Sequence, residues 1–438
     1  MARLLIWQGR LHVVAGNHDQ ARPVLEQSLA LLDRLATTPM EVQREQGAVL
    51  LLLGHITYLS DLQLTCHFYS QALAIYRTVG DHWLISGALA ALAAVHLDLG
   101  DTEVALQLTQ ECLVLRREIG AVYTIVQSLN DLAVCTLLIG EFEQGAALAQ
   151  EAQTLCIRSN NRLQLAYTLD YLGQFAACRD DYREAIAYFD QSIALLTELD
   201  RRQETARPLY QRALAHLSLG DLTALQSDVE EGLSLLRQNA RQEIVASHTF
   251  AQACWQIAQQ RQAEAWQNLH VAGQLFHDLG QPRGAVQTVA MLAYLAYRLE
   301  QTPLAQAYAL MTLRAAVALR VFFPIALVLP TVALLLLEQG EVEQAVEIYA
   351  LARRQPYVSR SHFFAQLAGN MMEQAVAKLH PTAAVEAEAR GQARHLWQTA
   401  HALATELPTS GWPESAPGAE AWLHSVSVWA DRDCAAYL

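Results

Sequence analysis

Residues 169–195, LDYLGQFAACRDDYREAIAYFDQSIAL, carry the unit that the rest of the chain repeats. Leu172 and Gly173 stand together in a first apolar stretch. A polar break follows at Arg179-Asp180-Asp181, and Ala185 and Phe189 then lie one helical turn apart. The same break returns at Gly100-Asp101, Gly140-Glu141, Gly220-Asp221, Gln260-Arg261, Glu300-Gln301 and Gly340-Glu341, a step of 40 residues each time. Gly16-Asn17 and Ser60-Asp61 extend the array toward the N-terminus. A fixed period of this length marks a solenoid of antiparallel helical hairpins, because one hairpin cannot bury its apolar face alone and stacked neighbours can.

Within the unit the spacing predicts one helix over 162–178 and a second over 182–199. Glycine or an acidic residue at the inner turn stops the first helix, since glycine tolerates the left-handed conformation that ends helices. The outer turns fall at Gly80-Asp81, Gly120, Asn160-Asn161, Asp200, Asn239 and Gly280, again residues that accept positive φ or cap the next helix. Leu172 and Gly173 must face Ala185 and Phe189: the small residue lets the helices approach, and the large one fills the groove beside it. Leu92-Ala93 with Ala105, Leu132-Ala133 with Gly145, and Leu292-Ala293 with Ala305 repeat the arrangement.

This pattern resembles the tetratricopeptide repeat over residues 4–352. Leu172, Gly173, Ala185 and Phe189 match the family's signature positions, as does the Leu53-Gly54 pair. Leu169 stands where the family often has Trp, Ala176 where it has Tyr, and the closing Pro is absent. The resemblance implies an all-α, right-handed superhelical solenoid of about nine hairpins over residues 1–355. The period of 40 lengthens each helix by nearly a turn relative to the family. The copy around Gly220 departs from the pattern, with Arg212 and Leu225 where small or apolar partners are expected.

Composition fits a soluble helical protein: 53% hydrophobic residues, 21 glycines and 12 prolines in 438 residues, with the breakers mostly at breaks. A formal charge of −14, with Lys378 the single lysine, argues against a nucleic-acid footprint, which needs clustered cations to displace counterions. Seven cysteines lie far apart without a CxxC pair, which points to a reduced, cytoplasmic compartment. Residues 321–337, VFFPIALVLPTVALLLL, contain no charge. They fall short of the ~20 residues a spanning helix needs and lie in the repeat register, so they read as a deeply buried first helix.

The register fails after Ala352. Residues 359–379 read as one helix and 383–407 as another, covering the exposed end of the last repeat as terminal caps must; the cap is assigned to 356–407. Residues 408–438 read as a linker and tail in which Trp422, Val426 and Trp429 share a face, either as a short docked helix or without order. Loss of this tail is expected to matter little, whereas loss of residues from 359 onward should expose the last repeat. At the other end, Leu4 is already inside a first helix, so either a second copy or an upstream module is expected to meet it.

There is no phosphate loop, no dinucleotide fingerprint, no HExxH and no paired Cys/His spacing. His395 and His401 do not align on one helix face, and His55, His67 and His248 read as packed or solvated. Neither a cofactor, a metal nor catalysis is expected. Helical solenoids bind instead on the concave surface lined by the first helices. Stepping along that face by 40 gives Gln127, Asn130 and Val134, then Tyr167, Asp170 and Gln174. Arg207, Tyr210 and Leu214 come next, then Ser247, Phe250 and Cys254, then Gln287 and Tyr294. The polar members suit a peptide backbone or a small inducer, with Phe250 and Tyr294 as apolar anchors. Asp170 and Arg207 are placed to pair with each other, while Arg116 is assigned to the outer face. Water-facing polarity alone accounts for such a belt equally well.

The long 40-residue array is also similar to the C-terminal sensor arms of bacterial signal-transduction ATPases, including LuxR-type and antibiotic-regulatory transcriptional activators. That resemblance implies a non-catalytic arm that recognises a protein or an inducer for nucleotide- and DNA-binding domains elsewhere. A free-standing adaptor for a peptide or partner protein is the alternative.

Overall fold

The computed structural model describes residues 1–34, 39–58, 60–235, 242–406 and 421–430, and among them there is no strand. Asn239, Cys434 and the linker 408–418 lie outside the described residues. Paired helices follow one another: Ala2–Val14 with His18–Asp33, Met40–Thr57 with Leu62–Val79, and His82–Leu99 with Thr102–Ile119. Val122–Ile139 and Phe142–Arg158 come next, then Arg162–Cys178 with Tyr182–Glu198. The last pairs are Ala206–Leu219 with Leu222–Leu235, Gln242–Ala258 with Gln262–Asp278, Pro282–Arg298 with Thr302–Ala318, and Phe322–Glu338 with Val342–Ala352. The chain divides into two compact units, residues 1–135 and 136–438.

What sets the helix lengths is the turn. Gly80, Gly100, Gly120, Gly140, Asn160, Asp180, Asp200, Gly220, Gln260, Gly280, Glu300, Arg320 and Gly340 all adopt positive φ, between 50° and 90°. From 80 to 340 they mark every twentieth residue wherever that position is described. Most close a helix the same way. After Arg162–Cys178, the Asp180 amide bonds to the Ala177 carbonyl at 3.0 Å and the Asp181 amide to Ala176 at 3.0 Å, the paired bonds of a left-handed C-cap. Asp181 then accepts from the Glu184 amide at 3.2 Å, capping the next helix.

Inside each hairpin the small-against-large contact holds. A Cβ on Gly173 would lie 2.4 Å from the Phe189 ring, and in the first unit one on Gly54 would lie 2.2 Å from Tyr69. Ala185 and Phe189 are fully buried. In the copy around Gly220, Leu225 is buried, and an ionic clamp takes the small residue's place. Arg212 donates to both oxygens of buried Asp228, at 3.1 and 2.6 Å, and to Asp190 at 2.5 Å. That clamp ties three helices, so the departure from the pattern is compensated by charge.

The 321–337 stretch forms Phe322–Glu338, buried along nearly its whole length. By length and apolarity His82–Leu99 and Val122–Ile139 also reach what a bilayer span needs, and each is partly buried inside the protein. Arg116 is not on an outer face: it is buried, with Nη1 donating to the Thr124 carbonyl at 2.9 Å and the Ser128 hydroxyl at 2.8 Å.

The C-terminal segment differs from its expected form. Residues 359–379 begin late and carry a π-turn, with His362–Phe364, Ala365–Gly369 and Asn370–Val376 in series. The single helix expected over 383–407 is two, Pro381–Ala393 and Leu396–Glu406, broken where Arg394 turns extended. Pro381–Ala393 packs on Val342–Ala352. There Gly391 passes so close that a Cβ would meet the Glu347 carbonyl at 2.1 Å, and Arg390 and Arg394 both bind the Glu347 carboxylate. The last helix, Ala421–Ala430, packs on Gln262–Asp278, Pro282–Arg298 and Thr302–Ala318. Trp422 is fully buried there, and a Cβ on Gly273 would lie 2.4 Å from its ring. The expectation that residues 408–438 can be lost cheaply is therefore corrected: their removal strips a buried tryptophan from three helices.

Two stability measurements check this description. Trp422→Ala should cost about 3–5 kcal/mol in denaturant titration, as truncating a buried tryptophan does; a change below 1 kcal/mol would mean the helix is not docked. At the turns, a Cβ on Gly340 would meet nothing within 4 Å. Gly340→Ala thus isolates the φ term and should destabilise by about 1 kcal/mol, and Glu300→Gly should stabilise by a similar amount.

Candidate functional site

Equal helix lengths bring corresponding residues of successive first helices to one place. In the second unit Gln174, Tyr210, Leu214, Phe250, Cys254 and Gln287 line a single cleft of about 690 Å³, part of it open to solvent. Of the residues predicted on the concave belt, Gln174, Tyr210 and Phe250 meet here. The cleft wall also takes Met291 from the helix Pro282–Arg298, and Phe323 and Leu327 from Phe322–Glu338.

The far side of the cleft is made by a strap that the sequence reading missed. Between Val342–Ala352 and the π-turn, the chain crosses the inner face and presents Tyr357, Ser361, Phe363 and Phe364 to the cleft. Tyr357 has φ +63° and, among the described residues, is the one non-glycine residue of positive φ off the twenty-residue step. A bulky side chain in that region is strained unless its surroundings hold it. Here they do: the Tyr357 ring lies 5.5 Å from Phe323 and 6.4 Å from Tyr182. Ser359 donates to Asp180, 179 residues away in sequence, and Tyr182 donates to the other oxygen of the same carboxylate at 2.9 Å. His362 crosses Gly220 so closely that a Cβ there would approach its Nδ1 to 2.7 Å. An aromatic chain continues from Phe323 through Phe322 to Phe142, the last pair edge-to-face at 5.0 Å. The aromatic run YVSRSHFF just past the loss of register was the available signal.

Next to the cleft lies the one predicted pair that the structure makes. Arg207 Nε sits 3.1 Å from Asp170 Oδ2, and Gln174 donates to the same oxygen at 3.2 Å. The guanidinium also lies 4.7 Å over the Tyr171 ring and donates to its hydroxyl. Asp170 is only 3% exposed and its Oδ1 makes no hydrogen bond within the protein, whereas the Arg207 side chain is 45% exposed. Burial pushes the Asp170 carboxyl above its ordinary value, against the pull of Arg207 and Gln174. Burial likewise pushes the Cys254 thiol up to about 12, so it sits in the cleft wall as an unreactive apolar group.

The remaining predicted residues go elsewhere. Tyr167 donates to Glu204, and Tyr294 is buried and accepts from Arg298 at 3.0 Å, outside the cleft lining. Gln127 and Asn130 belong to the first unit; Asn130 is buried, and half-buried Gln127 lies 3.4 Å from the Tyr123 hydroxyl. His248 is buried, its Nε2 at 2.8 Å from the Ala206 carbonyl. Among the described residues no three His, Cys, Asp or Glu side chains gather to hold a metal ion.

No protein-family model matches this sequence, and no curated protein does. Solved structures do. The apo form of RapI is similar at 15% identity, with a TM-score of 0.54, over 64% of this chain and 98% of that one. Aspartyl phosphate phosphatase F from Bacillus subtilis is similar at 12% identity and TM-score 0.51, covering 71% and 93% of the two chains. So is the Rap conjugation gene regulator of plasmid pLS20, solved in complex with the Phr* peptide, at 12% and 0.51, covering 68% and 89%. The fold is a tetratricopeptide-like helical-repeat array. At such identities the likeness is one of fold.

Asp170 supplies a pH test with a definite sign. Its folded pKa is raised above the unfolded value of about 3.9. The folded state then binds more protons in the window between the two, so this group's contribution to stability falls as pH rises through it. Wild type should lose melting temperature relative to Asp170→Asn as pH goes from about 4 to neutrality. A gap that is flat, or that moves the other way, would show the carboxyl is not desolvated.

Proposed function

We propose that the chain is a non-catalytic recognition module that receives a peptide or protein segment on the inner face of its second unit. The reading extends to the sensor or regulatory arm of a larger cytoplasmic signalling or transcription-regulating protein. The observation that carries it is the convergence of Gln174, Tyr210, Leu214, Phe250, Cys254 and Gln287 on one cleft beside a half-exposed Arg207. Arg207 offers a carboxylate of the partner a charged donor, and the unpaired Asp170 oxygen offers an amide or cation an acceptor. The pLS20 regulator of similar fold was solved with a peptide, which favours an extended ligand of that kind. In this reading residues 1–355 form the array and 356–407 cover its end. Gln174, Tyr210 and Phe250 in the cleft and the adjoining Asp170–Arg207 pair are the contact residues. Gln127 and Asn130 of the first unit, Tyr167 and Tyr294 are secondary, since they neither line the cleft nor belong to that pair.

Peptides selected from a displayed library against the purified chain give the test. Arg207→Ala and Asp170→Asn should each weaken a selected peptide by roughly tenfold to a hundredfold, as loss of a charge-assisted contact does. Arg183→Ala, an exposed position on the neighbouring second helix, should leave it unchanged. Equal affinity in all three variants, with melting temperatures close to wild type, would remove the inner face as the recognition surface.

A further inference from the structure

None of the sixteen residues that line the cleft is charged, in a chain where 17% of residues are Asp, Glu, Lys or Arg. What polarity it has is neutral: the amides of Gln174, Gln211 and Gln287, and the hydroxyls of Tyr210, Ser218 and Ser361. The rest is aromatic and aliphatic. The strap covers one side of this space with Tyr357, Phe363 and Phe364, so aromatic rings from outside the repeat face those of the array.

We infer that this niche binds an uncharged, largely apolar small molecule carrying one or two neutral hydrogen-bonding groups, and that the strap residues are its roof. The inference rests on the reading of this inner face as a recognition surface and names a ligand class for its deepest part. An uncharged wall selects by exclusion: an anion or cation entering it gives up hydration and finds no countercharge. A neutral ring gains apolar contact with Phe250 and Phe323 and meets amide partners at the rim. The roof is held rather than loose. Tyr357 keeps its left-handed backbone only because Phe323, Tyr182 and the Ser359–Asp180 hydrogen bond hold the strap down. Occupancy and strap seating are therefore coupled through the same side chains.

The test uses the full chain and two fluorophores of one aromatic skeleton, neutral N-phenyl-1-naphthylamine and its anionic sulfonate, 1-anilinonaphthalene-8-sulfonate. The neutral probe should saturate at one per chain, and the anionic one should bind at least about tenfold more weakly. Leu327→Trp fills the niche from a half-buried wall and should abolish neutral-probe binding. Tyr357→Gly removes the roof while relieving its backbone; the lost ring contacts outweigh the relieved φ, so it should melt below wild type yet cooperatively, and weaken the probe by roughly tenfold. Absence of saturable binding overturns the inference, and so does equal binding of the two probes. Binding untouched by Leu327→Trp in a variant that melts normally overturns it as well. Failure here leaves the parent reading standing if selected peptides still depend on Arg207; loss of that dependence removes the parent reading instead.

Discussion

A left-handed turn at every twentieth residue is the constraint on which the rest depends. Because most helices of the array end at this turn, commonly after 17 or 18 residues, successive hairpins are near-copies. A residue and its counterpart 40 positions later then face the same way. One inserted residue would rotate the rest of its helix by about 100° and carry the inner-face side chains out of line. The step is held even where glycine is absent: Asn160, Asp180, Asp200, Gln260, Glu300 and Arg320 all take positive φ. Local preference is overridden there by the register of the stack, which places apolar faces that can be buried only at that spacing.

The strap answers a different problem. Stacking buries the faces between neighbouring helices but leaves the inner face of the first helices open, with Tyr210, Phe250 and Phe323 on it. Chain 353–364 covers part of this face with three aromatic side chains of its own, Tyr357, Phe363 and Phe364, and it reuses turn residues to do so. Asp180 ends a helix, holds Tyr182 and accepts from Ser359; Gly220 ends a helix and lets His362 pass. Glycine at 220 is thus required twice, once for φ and once for space.

Repeat step, helix pairing and the small-against-large contact were legible because each is local or recurs at a fixed interval. The helix read at 162–178 is the one observed, and the partner read at 182–199 ends one residue sooner. The cleft was legible in half: a 40-residue step generates the array's own wall, including Leu214, Cys254 and Gln287. The other half comes from a segment outside the period, and no periodicity can say where it docks. For the same reason Trp422 was read as a face of an uncertain helix when it is fully buried. Arg116 failed for another cause. Its long side chain reaches back into the stack to the Thr124 carbonyl, and a helical-wheel position says nothing about where such a chain ends.

Charge is distributed in a way that separates scaffold from site. Ion pairs such as Arg22–Glu26, Arg77–Glu111 and Arg179–Glu184 join exposed partners on the water-facing side, where each contributes little. Arg212–Asp228 is buried and satisfied on both carboxylate oxygens apart from the third contact to Asp190, so it does structural work where a small residue is missing. Asp170 fits neither description. It is as buried as Asp228, yet one oxygen makes no hydrogen bond within the protein, and its cation lies over the Tyr171 ring with its side chain half in solvent. A well-packed apolar residue at that position would stabilise the array more than an incompletely paired carboxylate does. Under the proposed recognition role, the open Asp170 oxygen and the half-exposed Arg207 are the acceptor and the donor offered to a partner.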